Sequence, residues 1–282
     1  MSEDLSNSAG DQAAPGRLGE EQTAIDVTVP HSARIWNYWL GGKDNYEVDR
    51  MAGDQFRQVF PAIADIARSS RLFLTRAIRF LAADAGIRQF LDVGTGLPTE
   101  DNTHEVAQRI APDARIVYAD NDPLVLAHAR ALLTSTPEGV TAYIDADMRD
   151  PDTILDEAAE TLDFTKPAAL ILNGVLGHLT DSHEARAIVR HLMAPLPAGS
   201  YLSLMDGTSS ISGAPAQEAQ EGYNESGALP YVLRSPEEIA GFFEGLELVE
   251  PGVVSCTRWR PDPSASGPPA EVDAFGGVGR KA

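Results

Sequence analysis

The 282 residues include 42 Asp and Glu against 22 Lys and Arg, a formal charge of −20, and 43% of them are hydrophobic. So acidic a chain opposes binding to nucleic-acid backbones, which depends on Lys and Arg displacing counterions at phosphates, while its length and apolar content suffice for a large buried core. Cys256 is the single cysteine, which excludes an intrachain disulfide framework and a clustered-thiolate metal site.

Residues 1–30 are rich in Ser, Gly, Ala, Asp and Glu and read as a disordered tail, because they cannot bury enough apolar surface to offset ordering entropy. They lack a basic segment followed by an apolar one, and no apolar run approaches the roughly 18 residues that span a bilayer. A cytoplasmic location without a membrane partner is therefore expected.

Residues 31–86 read as an N-terminal helical lid segment. Its first part, "SARIWNYWLGGKDNYEVDR" (32–50), concentrates Trp36, Tyr38, Trp39 and Tyr46 around the Gly41–Asn45 turn. Ile35, Trp36, Trp39 and Leu40 have helical spacing and suit packing on a core, whereas Tyr38, Lys43 and Asn45 are candidates to approach a ligand. Apolar residues at helical spacing from Ile63 to Leu81 continue the helices to about Gly86.

Residues 87–260 alternate apolar runs (88–94, 115–120, 141–147, 168–173, 200–206) with helical patterns (102–110, 123–133, 151–160, 183–193), which predicts a parallel sheet covered on both faces. Residues 207–234 read as a long irregular connection whose Tyr223 and Tyr231 would form part of an acceptor wall. "SPEE" starts a helix with Ser235 as cap, and two extended runs around Pro251-Gly252 suit a hairpin at the sheet edge. Residues 261–282 read as a flexible Pro/Gly/Ser tail.

The segment "FLDVGTGLPTEDNTHEVAQ" carries the most chemistry. A strand ends at Asp92, then Gly94, Thr95 and Gly96 form a turn that lets backbone approach a ligand, and the following helix N-terminus offers free N–H groups. The next strand ends at Asp120, 24 positions after Gly96, where a carboxylate accepts from both hydroxyls of an unphosphorylated ribose. Asn121 stands beside it, and Asp122-Pro123 reads as a helix cap. Pro98 occupies the region where a pyrophosphate-binding loop needs its third glycine, which disfavours a nicotinamide dinucleotide.

A nucleoside with a zwitterionic amino-acid tail fits better, with Asp92 facing an ammonium group and turn amides facing a carboxylate. S-adenosylmethionine is such a molecule. In "DADMRD", Asp147 is a candidate for the adenine amino group and Met148 for the ring face, with helix capping the competing role for these acids. The fourth strand ends at Asn173, and His178 follows one short turn later. All four strand ends point to one crevice, because open α/β sheets bind ligands outside their carboxyl edges.

In these blocks, in "ARIWNYWLGGKDNYEVDR" and in "FFEGLELVEPGVVSCTRWRP", the chain resembles the class I, Rossmann-like S-adenosylmethionine-dependent methyltransferases, and more narrowly an actinobacterial methyltransferase-like family. The resemblance covers about residues 30 to 262. It implies a seven-stranded, mostly parallel sheet whose reversed last strand comes from the Pro251-Gly252 hairpin. It also implies cofactor residues Asp92, Gly94, Gly96, Asp120, Asp147 and Asn173, with S-adenosylhomocysteine as product; it supplies no substrate. In this fold the lid aromatics would shield the sulfonium and attract it through their ring quadrupoles.

The expected activity is methyl transfer to O or N of a small molecule, with a non-catalytic S-adenosylmethionine-binding regulator as the alternative. In-line displacement requires alignment and exclusion of water more than a strong base. His178 is the base candidate, and satisfying loop backbone groups is its competing role. His104 is expected to cap a helix or touch the cofactor tail. No set of His, Asp and Glu has metal-ligand spacing, so no metal is expected.

Overall fold

A computed structural model describes residues 25–132, 134–263 and 267–282. Its centre is built by period-two patterning in β1 (Gln89–Val93), β2 (Arg115–Asp120), β3 (Val140–Asp145), β4 (Ala169–Asn173) and β5 (Tyr201–Gly207). Phe90, Ile116, Tyr118, Ile171 and Met205 point into one core, and Leu91, Val93, Val117, Leu170, Leu172 and Leu204 into the other. Successive strand residues face opposite sides, so strands that are apolar throughout must be covered on both faces.

The first core is covered by α1 (Ser32–Trp39), α2 (Glu47–Val59) and α3 (Ile63–Arg79), which runs into a π turn at Phe80–Asp84. Helices α4 (Thr103–Ile110), α5 (Pro123–Leu132), α6 (Pro151–Ala158) and α7 (Ser182–Met193) follow β1, β2, β3 and β4, as the sequence pattern predicts. α6 begins where it does because Asp150 accepts from the Thr153 amide and Pro151 takes the first helical position.

The connection after β5 contains a helix that its Gly/Ser/Ala-rich composition conceals, α8 (Ala214–Glu225). Ala216, Ala219 and Tyr223 form its buried stripe, which packs against α2. Alanine is a strong helix former, so small residues here mark close helix packing rather than a loop. The capping-box helix read from "SPEE" is α9 (Pro236–Ala240).

Among the described residues the sheet has eight strands rather than the expected seven, in the order β3-β2-β1-β4-β5-β8-β6, with β7 pairing onto β8. β6 (Leu246–Leu248) and β7 (Val254–Ser255) do not form the expected hairpin with each other. Both pair with β8 (Ala274–Lys281), which also runs antiparallel to β5 over seven residue pairs. The segment read as a flexible tail therefore supplies the reversed strand. Its glycines mislead by composition: a Cβ on Gly276 would stand 2.5 Å from the Leu204 carbonyl, so the strand needs glycine to approach β5.

Trp259 is fully buried between Phe73 and Phe80, with ring centres 5.5 and 6.0 Å away, and fastens the loop after β7 to α3. Truncating such a side chain costs about 3–5 kcal/mol. No described helix is long and apolar enough to cross a membrane.

Candidate functional site

One cavity lies along the carboxyl ends of the parallel strands, where the order turns from β1-β2-β3 to β4-β5. Its lining contains every residue of the expected cofactor set: Asp92, Gly94, Thr95, Gly96, Asp120, Asn121, Asp147, Met148 and Asn173. His178, Tyr223 and Tyr231 line it as well.

Gly94 and Gly96 both have positive φ, 70° and 67°, the left-handed region that glycine enters without strain. They differ in surroundings. A Cβ on Gly94 would meet Val175 at 2.2 Å, whereas one on Gly96 meets nothing within 4 Å. Gly94 is thus needed for packing, and Gly96 opens onto free space.

Asp92 is buried and accepts a 2.5 Å hydrogen bond from the Thr103 hydroxyl. Burial pushes its carboxyl up to about 6, with the nearby Asp120 charge adding to the effect and Thr103 and Arg71 opposing it. Asp120 accepts from the Gly96 amide at 2.9 Å and the Asp122 amide at 3.0 Å, and burial raises it too. Asp122 accepts from the Leu124 amide at 2.8 Å, the expected cap of α5.

The acids of "DADMRD" divide their work. Asp150 caps α6, while Asp147 accepts from Asn121 Nδ2 at 3.1 Å and from the Arg149 amide at 2.8 Å and faces the cavity. Asn173 Oδ1 is buried in the cavity wall without a hydrogen-bond partner, an acceptor that only a ligand or water can satisfy.

Arg71 is a residue that sequence reasoning missed. It sits on α3 beside Asp92; one Nη donates to the carbonyls of Glu100 and Asp101, while its buried Nε has no partner. It lines the cavity, and burial lowers its pKa. Its only sequence signal is an arginine among the apolar residues of a helix that precedes the first strand by some ten residues, which does not specify a direction.

His178 ends a short 3-10 turn, Leu176–His178. Nδ1 stands 3.0 Å from the Pro230 carbonyl, which can only accept, so Nδ1 carries the proton and Nε2 the lone pair. Burial, with help from His31 and Arg149, lowers its pKa and keeps the ring neutral. The loop-satisfying role of this residue is therefore met by one nitrogen. Tyr231 lies edge-on to His178, donates to the fully buried Asp206, and accepts from the Gly207 amide at 3.0 Å. Arg234 pairs with the other Asp206 oxygen at 3.2 Å.

Two His–Asp pairs join the N-terminal segment to the residues after β2, His31 with Asp122 at 3.0 Å and Asp44 with His128 at 3.3 Å. Burial alone would raise Asp122, but His31 and the Leu124 amide overcome it and hold the carboxyl below its ordinary value. The buried Arg34–Asp49 pair welds α1 to α2. Trp36 and Trp39 line the cavity while packing on the core, so the helical stripe also forms the wall.

Tyr38, Lys43 and Asn45 stand outside the cavity lining, contrary to expectation. Tyr38 donates to Asp54 at 2.7 Å, Asn45 Nδ2 is committed to Asn37 and the Gly42 carbonyl, and Lys43 is exposed. The polar turn is held by hydrogen bonds to Asn37 of α1. His104 is buried against the Tyr118 hydroxyl at 2.9 Å and does not line the cavity. Among the described residues no group of His, Cys, Asp and Glu could hold a metal.

The geometry suits S-adenosylmethionine. Four acids line the cavity against two guanidinium groups, which favours a sulfonium and an ammonium, while the free Arg71 Nε matches a carboxylate and the Asn173 oxygen a donor.

Residues 18–282 match a family described as S-adenosyl methyltransferase. Among solved structures, a DUF574 family protein from Streptomyces avermitilis is 45% identical with a TM-score of 0.88, over 92% of this chain and 100% of that one. A Thermobifida fusca protein described as a candidate methyltransferase is 40% identical with a TM-score of 0.83, over 91% of this chain and 96% of that one. An O-methyltransferase family protein from Burkholderia thailandensis shares the fold at 14% identity and a TM-score of 0.50, over 87% of this chain and 64% of that one. The comparison with curated proteins found no match. The chain belongs to the S-adenosyl methyltransferase family and is an S-adenosylmethionine-dependent methyltransferase with a Rossmann-like class I fold.

Proposed function

We propose that the protein methylates a small-molecule acceptor, with residues 31–86 acting as a lid segment over a body that runs from residue 87 through β8. Bound S-adenosylmethionine supplies an electrophilic methyl group on a sulfonium. In this reading Asp120 accepts from the ribose hydroxyls with Asn121 beside it, Asp147 accepts from the adenine amino group, and Met148 packs on the ring. Asp92 faces the ammonium, while Arg71 and the amides of the Gly94–Thr95–Gly96 turn face the carboxylate. Asn173 accepts at the boundary between the cofactor and acceptor halves.

The observation that carries this reading is the convergence of Asp92, Asp120, Asp147 and Asn173, from four strand ends, on one cavity that continues into an aromatic-walled chamber. That chamber holds the acceptor in line and excludes water, and the neutral Nε2 of His178 receives a proton where the acceptor must lose one. Calorimetric titration with S-adenosylmethionine, S-adenosylhomocysteine and NADH tests it. Micromolar binding of the first two and none of NADH is expected; failure of both adenosyl ligands to bind would sink the assignment of these residues.

A further inference from the structure

The cavity continues beyond Asn173, over the ends of β5 and β8 and beneath α1, α2 and α8. Its wall there is a run of rings in contact: Trp36 with Trp39 at 5.8 Å, Trp39 with Phe56 at 5.0 Å, and Phe56 with Tyr223 at 6.4 Å between centres. Such a wall, carried on α1, α2 and α8 with a buried ion pair joining the first two, presents rigid apolar faces to a flat ligand.

The carboxylates of this half already accept hydrogen bonds. Asp273 accepts from the amides of Ile211 at 2.8 Å and Ser212 at 3.1 Å, and Asp206 is paired with Arg234 behind Tyr231. Of the two guanidinium groups lining the whole cavity, Arg71 lies beside Asp92 at the cofactor end. Arg149 is 3.6 Å from both Asp147 and Glu184 and donates to the His178 carbonyl. A carboxylate or phosphate acceptor would enter without a free cation, at a large desolvation cost.

The ring wall favours a flat ring compound, and one imidazole lines the same cavity. We propose that the acceptor is an uncharged aromatic or enolic ring bearing a weakly acidic hydroxyl, methylated on that oxygen; this rests on the methyl-transfer reading above. The acceptor oxygen forms its bond to the methyl carbon as the carbon–sulfur bond breaks, with that electron pair going to sulfur. The hydroxyl proton passes to His178 Nε2, and the products are a methyl ether, S-adenosylhomocysteine and a proton that His178 later releases to solvent. The pairing of Nδ1 with the Pro230 carbonyl holds the imidazole in the tautomer this needs. The charged groups around the ring are His31 on the lid and Arg149 after β3, both of which disfavour its protonated form.

Three probes with one ring system separate the possibilities: naphthol, naphthylamine and naphthoate, each given to the full chain with S-adenosylmethionine while S-adenosylhomocysteine is measured. Naphthol is expected to be methylated on oxygen roughly tenfold or more faster than the others. His178→Asn is expected to lose about a hundredfold or more of that rate with cofactor affinity unchanged. The rate of the unaltered protein should fall on the acid side with an inflection that His178→Asn lacks. A preference for naphthylamine or naphthoate, or no turnover of any probe while the cofactor binds, overturns the acceptor class and leaves the methyl-transfer reading standing. Absence of cofactor binding overturns both.

Discussion

The Gly96 amide donates to the Asp120 carboxylate at 2.9 Å, tying the loop after β1 to the end of β2 across 24 positions of sequence. Asp120 thus holds the glycine turn and also lines the cavity where the ribose is assigned. Asp120→Ala should weaken S-adenosylmethionine binding at least tenfold, about 1.4 kcal/mol. Calorimetry checks this, and unchanged affinity would remove Asp120 from the site.

Gly94 and Gly96 should respond differently to the same substitution. Gly94→Ala adds left-handed strain and a 2.2 Å approach to Val175, so it should lower Tm as well as abolish binding. Gly96→Ala adds only the strain, about 1–2 kcal/mol, because its Cβ enters empty space. A folded Gly96→Ala protein that has lost cofactor binding is the expected result. Full affinity in that protein would mean that the ligand does not approach this turn.

Asp92 makes the apo protein sensitive to pH. Its carboxyl titrates at about 6 in the fold, against about 4 in an unfolded chain, so the fold prefers it protonated. The resulting penalty is absent below about pH 4, grows as pH rises toward 6 and is complete above that. Asp92→Asn should therefore raise Tm relative to the unaltered protein more at pH 8 than at pH 4, while weakening cofactor binding by removing the partner of the ammonium. A Tm difference that does not change with pH would contradict a buried, ionising Asp92.

Arg71 can be tested against the carboxylate it is assigned. Arg71→Met should weaken S-adenosylmethionine roughly tenfold or more, in keeping with a charge-assisted hydrogen bond of about 1.5–3 kcal/mol. Decarboxylated S-adenosylmethionine lacks that group, so its affinity should barely change. Equal losses for both ligands would show that Arg71 supports the pocket without touching the tail.

The strand-end side of this cavity was legible in the sequence because it depends on local periodicity. Apolar runs fixed the strands, strand ends fixed the positions of Asp92, Asp120, Asp147 and Asn173, and a helix start after the glycine turn fixed the loop between them. Capping roles were also readable where they are local, as for Asp122 and Asp150.

Other features depend on residues far apart in the chain, and only the tertiary structure decided them. β8 looked like a tail because its glycines carry no pattern, and they are needed by contact with β5 some 70 residues away. α8 looked like a loop until its small residues met α2. Arg71 gained a role from standing next to Asp92, and Lys43 and Asn45 lost theirs because the turn that carries them faces away from the cavity. Local composition and spacing determined the sheet, its helices and the acids at the strand ends; the eighth strand, the aromatic chamber and the bond of His178 to the Pro230 carbonyl came from long-range packing, which no local pattern encodes.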